Sequence, residues 1–117
     1  MKPVVPRRRA EQDIDEIVDY YVAESAQETT LRFIDALESA YGRISRHPRI
    51  GSLRYAYEVA LPGLRCWPLK GFPYLVFYVE RDDHIDVWRG LHERRDIPRW
   101  MREEVESHGD EPNDAFR

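Results

Sequence analysis

Leu64 to Asp96 reads LRCWPLKGFPYLVFYVERDDHIDVWRGLHERRD, and this stretch decides the fold. At its centre lies an unbroken apolar run, Tyr74-Leu75-Val76-Phe77-Tyr78-Val79. The run is too short to span a membrane and is rich in aromatic and β-branched residues. That combination predicts a strand covered on both faces. Leu64 to Leu69 precedes it across Lys70-Gly71-Phe72-Pro73, and Ile85 to Leu91 follows it across Arg81-Asp82-Asp83. Links this short permit only antiparallel neighbours, because a parallel return needs a crossover of about a dozen residues or more. A three-stranded meander is therefore the expected platform.

Upstream, Lys2-Pro3-Val4-Val5-Pro6 is β-leaning and bounded by prolines, which confines it to a sheet edge. Pro6 suits a helix start. From Arg7 to Ala23 the apolar residues Ala10, Ile14, Ile17, Val18, Tyr21 and Val22 recur at helical spacing. Glu11, Asp13, Asp15, Glu16 and Asp19 then read as a solvated face. Ser25-Ala26-Gln27-Glu28 has the form of a capping box that ends this helix and starts the next. Leu31, Phe33, Ile34, Leu37, Ala40, Tyr41 and Ile44 give the second helix its apolar stripe, and Pro48 stops it near His47. So short a link makes the two helices an αα-hairpin, whose apolar faces should cover one side of the meander.

The alternation Leu53, Tyr55, Tyr57, Val59 leaves Leu53 to Leu61 open between a strand and an extended loop. A short helix is expected from Ile97 through Ser107. One domain over residues 1–106 follows, with 107–117 as a polar, disordered tail. The fold class is α+β: an αα-hairpin packed on a twisted antiparallel sheet, in the order β-α-α-β-β-β.

The 117 residues are 42% hydrophobic and 34% charged, with a net charge of −4. Residues 11–40 carry nine acids against Arg32, while 41–70 carry six bases against Glu58. The acidic total argues against a generic nucleic-acid binder, and the basic segment leaves a local anionic partner open. Cys66 is the one cysteine, so no intrachain disulfide forms, and a buried-looking strand makes it an inert core thiol. His47, His84, His92 and His108 show no paired ligand spacing, so no metal is expected. Scattered glycines form no phosphate loop, and no cofactor is implied. Basic Met1 to Ala10 is followed by acids rather than an apolar stretch, so no signal peptide is read. Without a long apolar segment, the chain is expected to be cytoplasmic and unanchored.

One constellation of chemistry stands out: Arg65, Lys70, Arg89, His92, Arg94 and Arg95 on or beside the meander. Arginines on adjacent strands stabilise a pentavalent phosphate, and His92 or a tyrosine would serve as acid or base. A metal-free ribonuclease would rest on Arg65, Arg89 and His92. The interspersed acids, and Arg95-Asp96 as a self-contained ion pair or a helix-start device, argue against it. Trp88 lies opposite the Ile85/Val87 face and is a candidate partner-facing aromatic.

In order along the chain stand Ala10-x-x-Asp13-Ile14-x-x-Ile17-x-x-Tyr20, His47-Pro48-x-x-Gly51 and Gly63-Leu64-Arg65. Phe72-Pro73-Tyr74-x-Val76-Phe77-Tyr78 and Leu91-His92-Glu93-Arg94-Arg95-Asp96-Ile97-Pro98 follow. Over roughly residues 3–98 this resembles the ParE toxins of the RelE/ParE superfamily, the toxic halves of type II toxin–antitoxin modules. The resemblance implies a ParD-like antitoxin as partner, with operator DNA reached only through it. It also implies DNA gyrase as target, growth arrest, and a role in plasmid stabilisation. RelE-type relatives instead cut mRNA on the ribosome, which is the rival reading; an inactive member kept for autoregulation is a third. Partner contacts are expected at Arg49, Arg54, Arg65, Trp88, His92 and Arg95. Gly90 departs from the pattern, standing where a β-branched residue is expected, and should bend or bulge the last strand.

Overall fold

A computed structural model describes residues 1–24 and 27–108. The elements run β1 (Val4–Pro6), α1 (Arg8–Glu24), α2 (Gln27–Arg46), α3 (Ala56–Val59), β2 (Leu64–Pro68), β3 (Tyr74–Glu80), β4 (Ile85–His92) and α4 (Ile97–His108). Ser25 and Ala26 of the capping box lie outside the described residues, as do residues 109–117 of the expected tail.

The meander forms as read: β2 pairs antiparallel with β3, and β3 with β4. The sheet order is β1-β4-β3-β2. The edge strand adds a feature that local sequence does not carry. Val4, Val5 and Pro6 lie parallel to Ile85, Asp86 and Val87, so the four-stranded sheet is mixed. The connection between them runs through the hairpin, α3, β2 and β3, far longer than the crossover that a parallel pairing requires.

β3 and β4 are the central strands and are buried almost end to end. Two cores explain this. On one face Ala10, Ile17, Phe33, Ala40 and Ile44 of the hairpin pack on Val76, Tyr78, Ile85 and Val87. On the other, Val59 of α3 and Ile97 and Met101 of α4 pack on Leu64, Leu75, Phe77 and Leu91. Each large side chain so enclosed contributes about 1.5–3 kcal/mol.

Leu53 to Leu61 forms neither a strand nor a plain extended loop. Ser52 makes a single bridge to Cys66, and Ala56–Val59 is a short helix. Only Val59 of the apparent alternation is buried, and Tyr57 is 94% exposed. The period of two was fortuitous; the pair that packs on the sheet, Tyr55 and Val59, is four apart, as in a helix. Asp96 is a helix-start device rather than the partner of Arg95. Its carboxylate accepts the Arg99 N–H at 3.2 Å.

Gly90 does not bulge β4. The irregularity lies at Trp88, where the register passes from Phe77 opposite Arg89 to Tyr78 opposite Val87. Gly90 instead makes room for α1, since a Cβ there would stand 3.2 Å from Ile14 Cδ1.

Candidate functional site

β1 pairs with β4 only as far as Val87. Beyond it the edge of β4 faces α1, and the bulge at Trp88 re-aims the residues that follow. Asp13 of α1 is buried there, not solvated. Its carboxylate takes the Arg89 guanidinium through Nε at 2.7 Å and Nη2 at 2.9 Å, and the Gly90 N–H at 3.0 Å. Glu104 of α4 lies 3.6 Å from Arg89 Nη1. Burial alone would make the Arg89 charge easier to lose; Asp13 foremost, then Glu104, reverse this and hold it charged. One guanidinium thus clasps a helix from each face of the sheet.

Beside the clasp runs a groove of about 550 Å³. Its α1 wall presents Arg9, Asp13, Glu16, Ile17, Tyr20 and Tyr21. The facing wall is the end of β4 from Arg89 to His92 with Arg95 and Trp100, and Pro73-Tyr74 lies at one end. Tyr21 meets Phe33, Phe72 and Tyr74 at ring-centroid distances of 5.7, 5.6 and 6.5 Å, so the floor is an aromatic cluster. Burial, then the hydrogen bond that Tyr74 donates to Tyr21, pushes the Tyr74 hydroxyl up to about 12. The His92 ring sits edge-on to Tyr74 at 5.3 Å, and its Nδ1 accepts the Arg94 N–H at 3.0 Å. Arg95 lies over the Trp100 ring at 4.5 Å. An aromatic floor with a rim of both charge signs suits a peptide segment carrying apolar anchors.

The residues expected to meet a partner fall into three places. His92 and Arg95 line this groove. Arg49, Arg54 and Arg65 stand apart, on β2 and the segment before it. Arg65 Nη1 there donates to the carbonyls of Arg49 at 3.1 Å and Gly51 at 2.8 Å, and Arg54 stacks on Tyr55 at 4.8 Å. Trp88 is correctly placed opposite Val87 but wholly enclosed. Its Nε1 donates to Asp86 and Arg7 covers its ring at 3.8 Å, so it offers no surface to a partner.

The three residues of the ribonuclease reading are not assembled. Arg89 and His92 share the groove, whereas Arg65 does not line it. Arg65 lies across from Tyr78, and His92 across from Tyr74, at opposite reaches of β3. Four residues of strand separate them by roughly 13 Å along the sheet. Among the described residues no group of three His, Cys, Asp or Glu is placed to hold a metal. No described helix is long and apolar enough to cross a membrane. Asp13, Tyr20, Tyr21 and Tyr74 also line the groove and were not singled out by residue type, whereas Trp100, which lines it too, is by residue type a core or interface anchor. Asp13 carried one signal: it falls between Ala10 and Ile17 on the buried stripe of α1.

Residues 4–97 match the family described as the ParE toxin of the type II toxin-antitoxin system, parDE. A solved structure described as the chromosomal ParDE TA system from P. aeruginosa superposes with a TM-score of 0.64. It covers 79% of this chain and 96% of that one at 22% identity, which establishes a shared fold. Comparison with curated protein sequences finds no match. The family match runs from β1 to the first residue of α4 and so takes in the whole sheet and the helical hairpin. The chain belongs to the ParE toxins of type II toxin–antitoxin systems.

Proposed function

We propose that this toxin acts by binding, with DNA gyrase as its target and a ParD-like antitoxin as its neutraliser. The observation that carries the reading is the family match across residues 4–97. The groove supports it. Arg89, the most enclosed base beside the groove, is already committed to Asp13 and Glu104 and is poorly free to meet a phosphate. What the groove leaves accessible are rings and rim charges, which favour grip over bond cleavage. The antitoxin's C-terminal segment would lay apolar anchors on Tyr20, Tyr21 and Tyr74. Its acids would meet His92 and Arg95, and further along the basic residues Arg49, Arg54 and Arg65. Operator DNA would be reached only through the antitoxin, and the setting would be the cytoplasm.

The test is supercoiling by purified gyrase with this protein added, alone and with its antitoxin. Loss of supercoiling that the antitoxin restores is the expected result. Unaffected gyrase in the presence of folded protein would overturn it. In that event, cleavage of mRNA within the reading frame in translating extracts would establish the ribonuclease reading. Tight antitoxin binding with neither effect would mark an inactive autoregulatory member.

A further inference from the structure

We propose that a second groove, between α1 and α2, seats a lysine or arginine side chain of a partner protein. This groove measures about 420 Å³ and is lined by Pro6, Glu11, Ile14, Asp15, Leu37 and Tyr41. It is separate from the aromatic groove. The two share no lining residue, and at about 100° per residue the two carboxylates, at positions 11 and 15, fall on the side of α1 opposite positions 9, 13, 16 and 20. A partner held here leaves the aromatic groove open, so the inference stands whether or not an antitoxin occupies the latter.

The lining is matched to a long cationic side chain. Pro6, Ile14 and Leu37 offer apolar surface to its methylene stem, and Glu11 and Asp15 offer carboxylates to its head. Both acids are exposed, and among the described residues neither has an ion-pair partner. Arg8, the cation one turn before Glu11, pairs with neither. Tyr41 closes one end with its hydroxyl. Burial, with the Glu11 charge second, pushes that hydroxyl up to about 12, so its oxygen stays a neutral acceptor. Asp19, Asp35 and Glu38, each within about one turn of a lining residue, are also exposed on the two helices, which extends the negative field and draws a basic segment in. An acidic peptide would be repelled from the same place, which sets this occupant apart from one that meets the basic flank.

The experiment titrates the ¹⁵N-labelled full chain with an acetylated, amidated pentapeptide, Gly-Arg-Leu-Arg-Gly, followed by amide shifts. Saturating shifts centred on Ile14, Asp15, Leu37 and Tyr41 are expected, and none with serine in place of both arginines. Glu11→Gln with Asp15→Asn should weaken binding on the order of tenfold. Asp19→Asn with Asp35→Asn removes the same charge outside the groove and should leave the affinity within about twofold. Equal losses from both pairs, or shifts that spread over every acid without saturating, would reduce the effect to general charge and overturn the proposal. Shifts centred on Tyr20 and Tyr74 would overturn it as well. So would self-association abolished by the Glu11→Gln/Asp15→Asn pair, which would make the occupant a second copy of this chain.

Discussion

Arg89 and Asp13 meet as a two-point pair, Nε to Oδ2 at 2.7 Å and Nη2 to Oδ1 at 2.9 Å, with both side chains almost fully enclosed. Seventy-six positions of chain separate them. Removing one partner leaves an enclosed charge with less compensation. Asp13→Ala or Arg89→Ala should therefore cost about 3–5 kcal/mol in denaturant unfolding. Asp13→Leu combined with Arg89→Met should lose less than either single change. It should not return fully to the parent, because the Gly90 N–H still lacks its acceptor, at about 1–3 kcal/mol. Additive losses in the double variant would show that the pair does not act as a unit.

Acid should unfold the protein through Asp86. Its carboxylate accepts from Arg7, Arg81 and the Trp88 indole at 2.9 to 3.1 Å. Burial alone would raise its pKa, but Arg7 and then Arg81 outweigh burial and hold it below the usual range. Glu80 is lowered too, chiefly by its hydrogen bond from Lys2. A lowered acid stabilises above its unfolded value and loses that contribution as pH falls through its folded value. Melting temperature should be level down to about pH 5 and fall steeply below about pH 4. Asp86→Asn should cost about 2 kcal/mol at neutral pH, discounted because Arg7 and Arg81 are partly solvated, and should flatten the acid limb. An unchanged acid limb in that variant would move the source elsewhere.

Two glycines should respond to alanine with opposite signs. At Gly51 a Cβ would stand 2.7 Å from the Tyr78 hydroxyl and 3.0 Å from both Arg65 Cβ and the Cys66 carbonyl. That hydroxyl is itself fixed, accepting the Gly51 N–H and donating to the Pro48 carbonyl. Gly51→Ala should cost about 1–3 kcal/mol. Gly42, inside α2, would meet only the flexible Arg46 guanidinium at 3.5 Å. Gly42→Ala should gain about 0.5–1 kcal/mol. Thermal melts of the two variants settle both signs.

Cys66 should be unreactive in the folded protein. It is 4% exposed, and burial raises its thiol above the ordinary value despite the opposing charge of Arg54. At about pH 8 its reaction with a thiol-specific disulfide reagent should be on the order of a hundredfold slower than in denaturant. Equal rates in both states would place the thiol at the surface.

The readable parts of this sequence were those governed by neighbours in the chain. Short links at Lys70–Pro73 and Arg81–Asp83 dictated the meander, and the spacing of Ala10, Ile17, Phe33 and Ile44 dictated the hairpin and the face it covers. Prolines at 3 and 6 marked β1 as an edge, yet its parallel pairing with β4 joins residues some eighty apart and leaves no local trace. The same holds for the groove. Tyr21, Tyr74 and Trp100 come from three elements, and only tertiary folding makes them one surface. Asp13 was misread with its acidic neighbours because residue type outweighed phase: its place on the buried stripe was visible. Trp88 was right in face and wrong in exposure, since nothing near it announces that Arg7 will cover its ring.

The pairing of Val4 with Ile85 also sets a timetable for synthesis. A ribosome adding about 5–20 residues per second needs roughly 4 to 16 s to pass from one to the other. Throughout that interval the nascent segment Val4–Pro6 has no ladder to join, and the platform cannot close until Ile85 has left the exit tunnel. The first strand made is therefore among the last to settle, and a stalled or truncated translation product leaves the toxin unfinished.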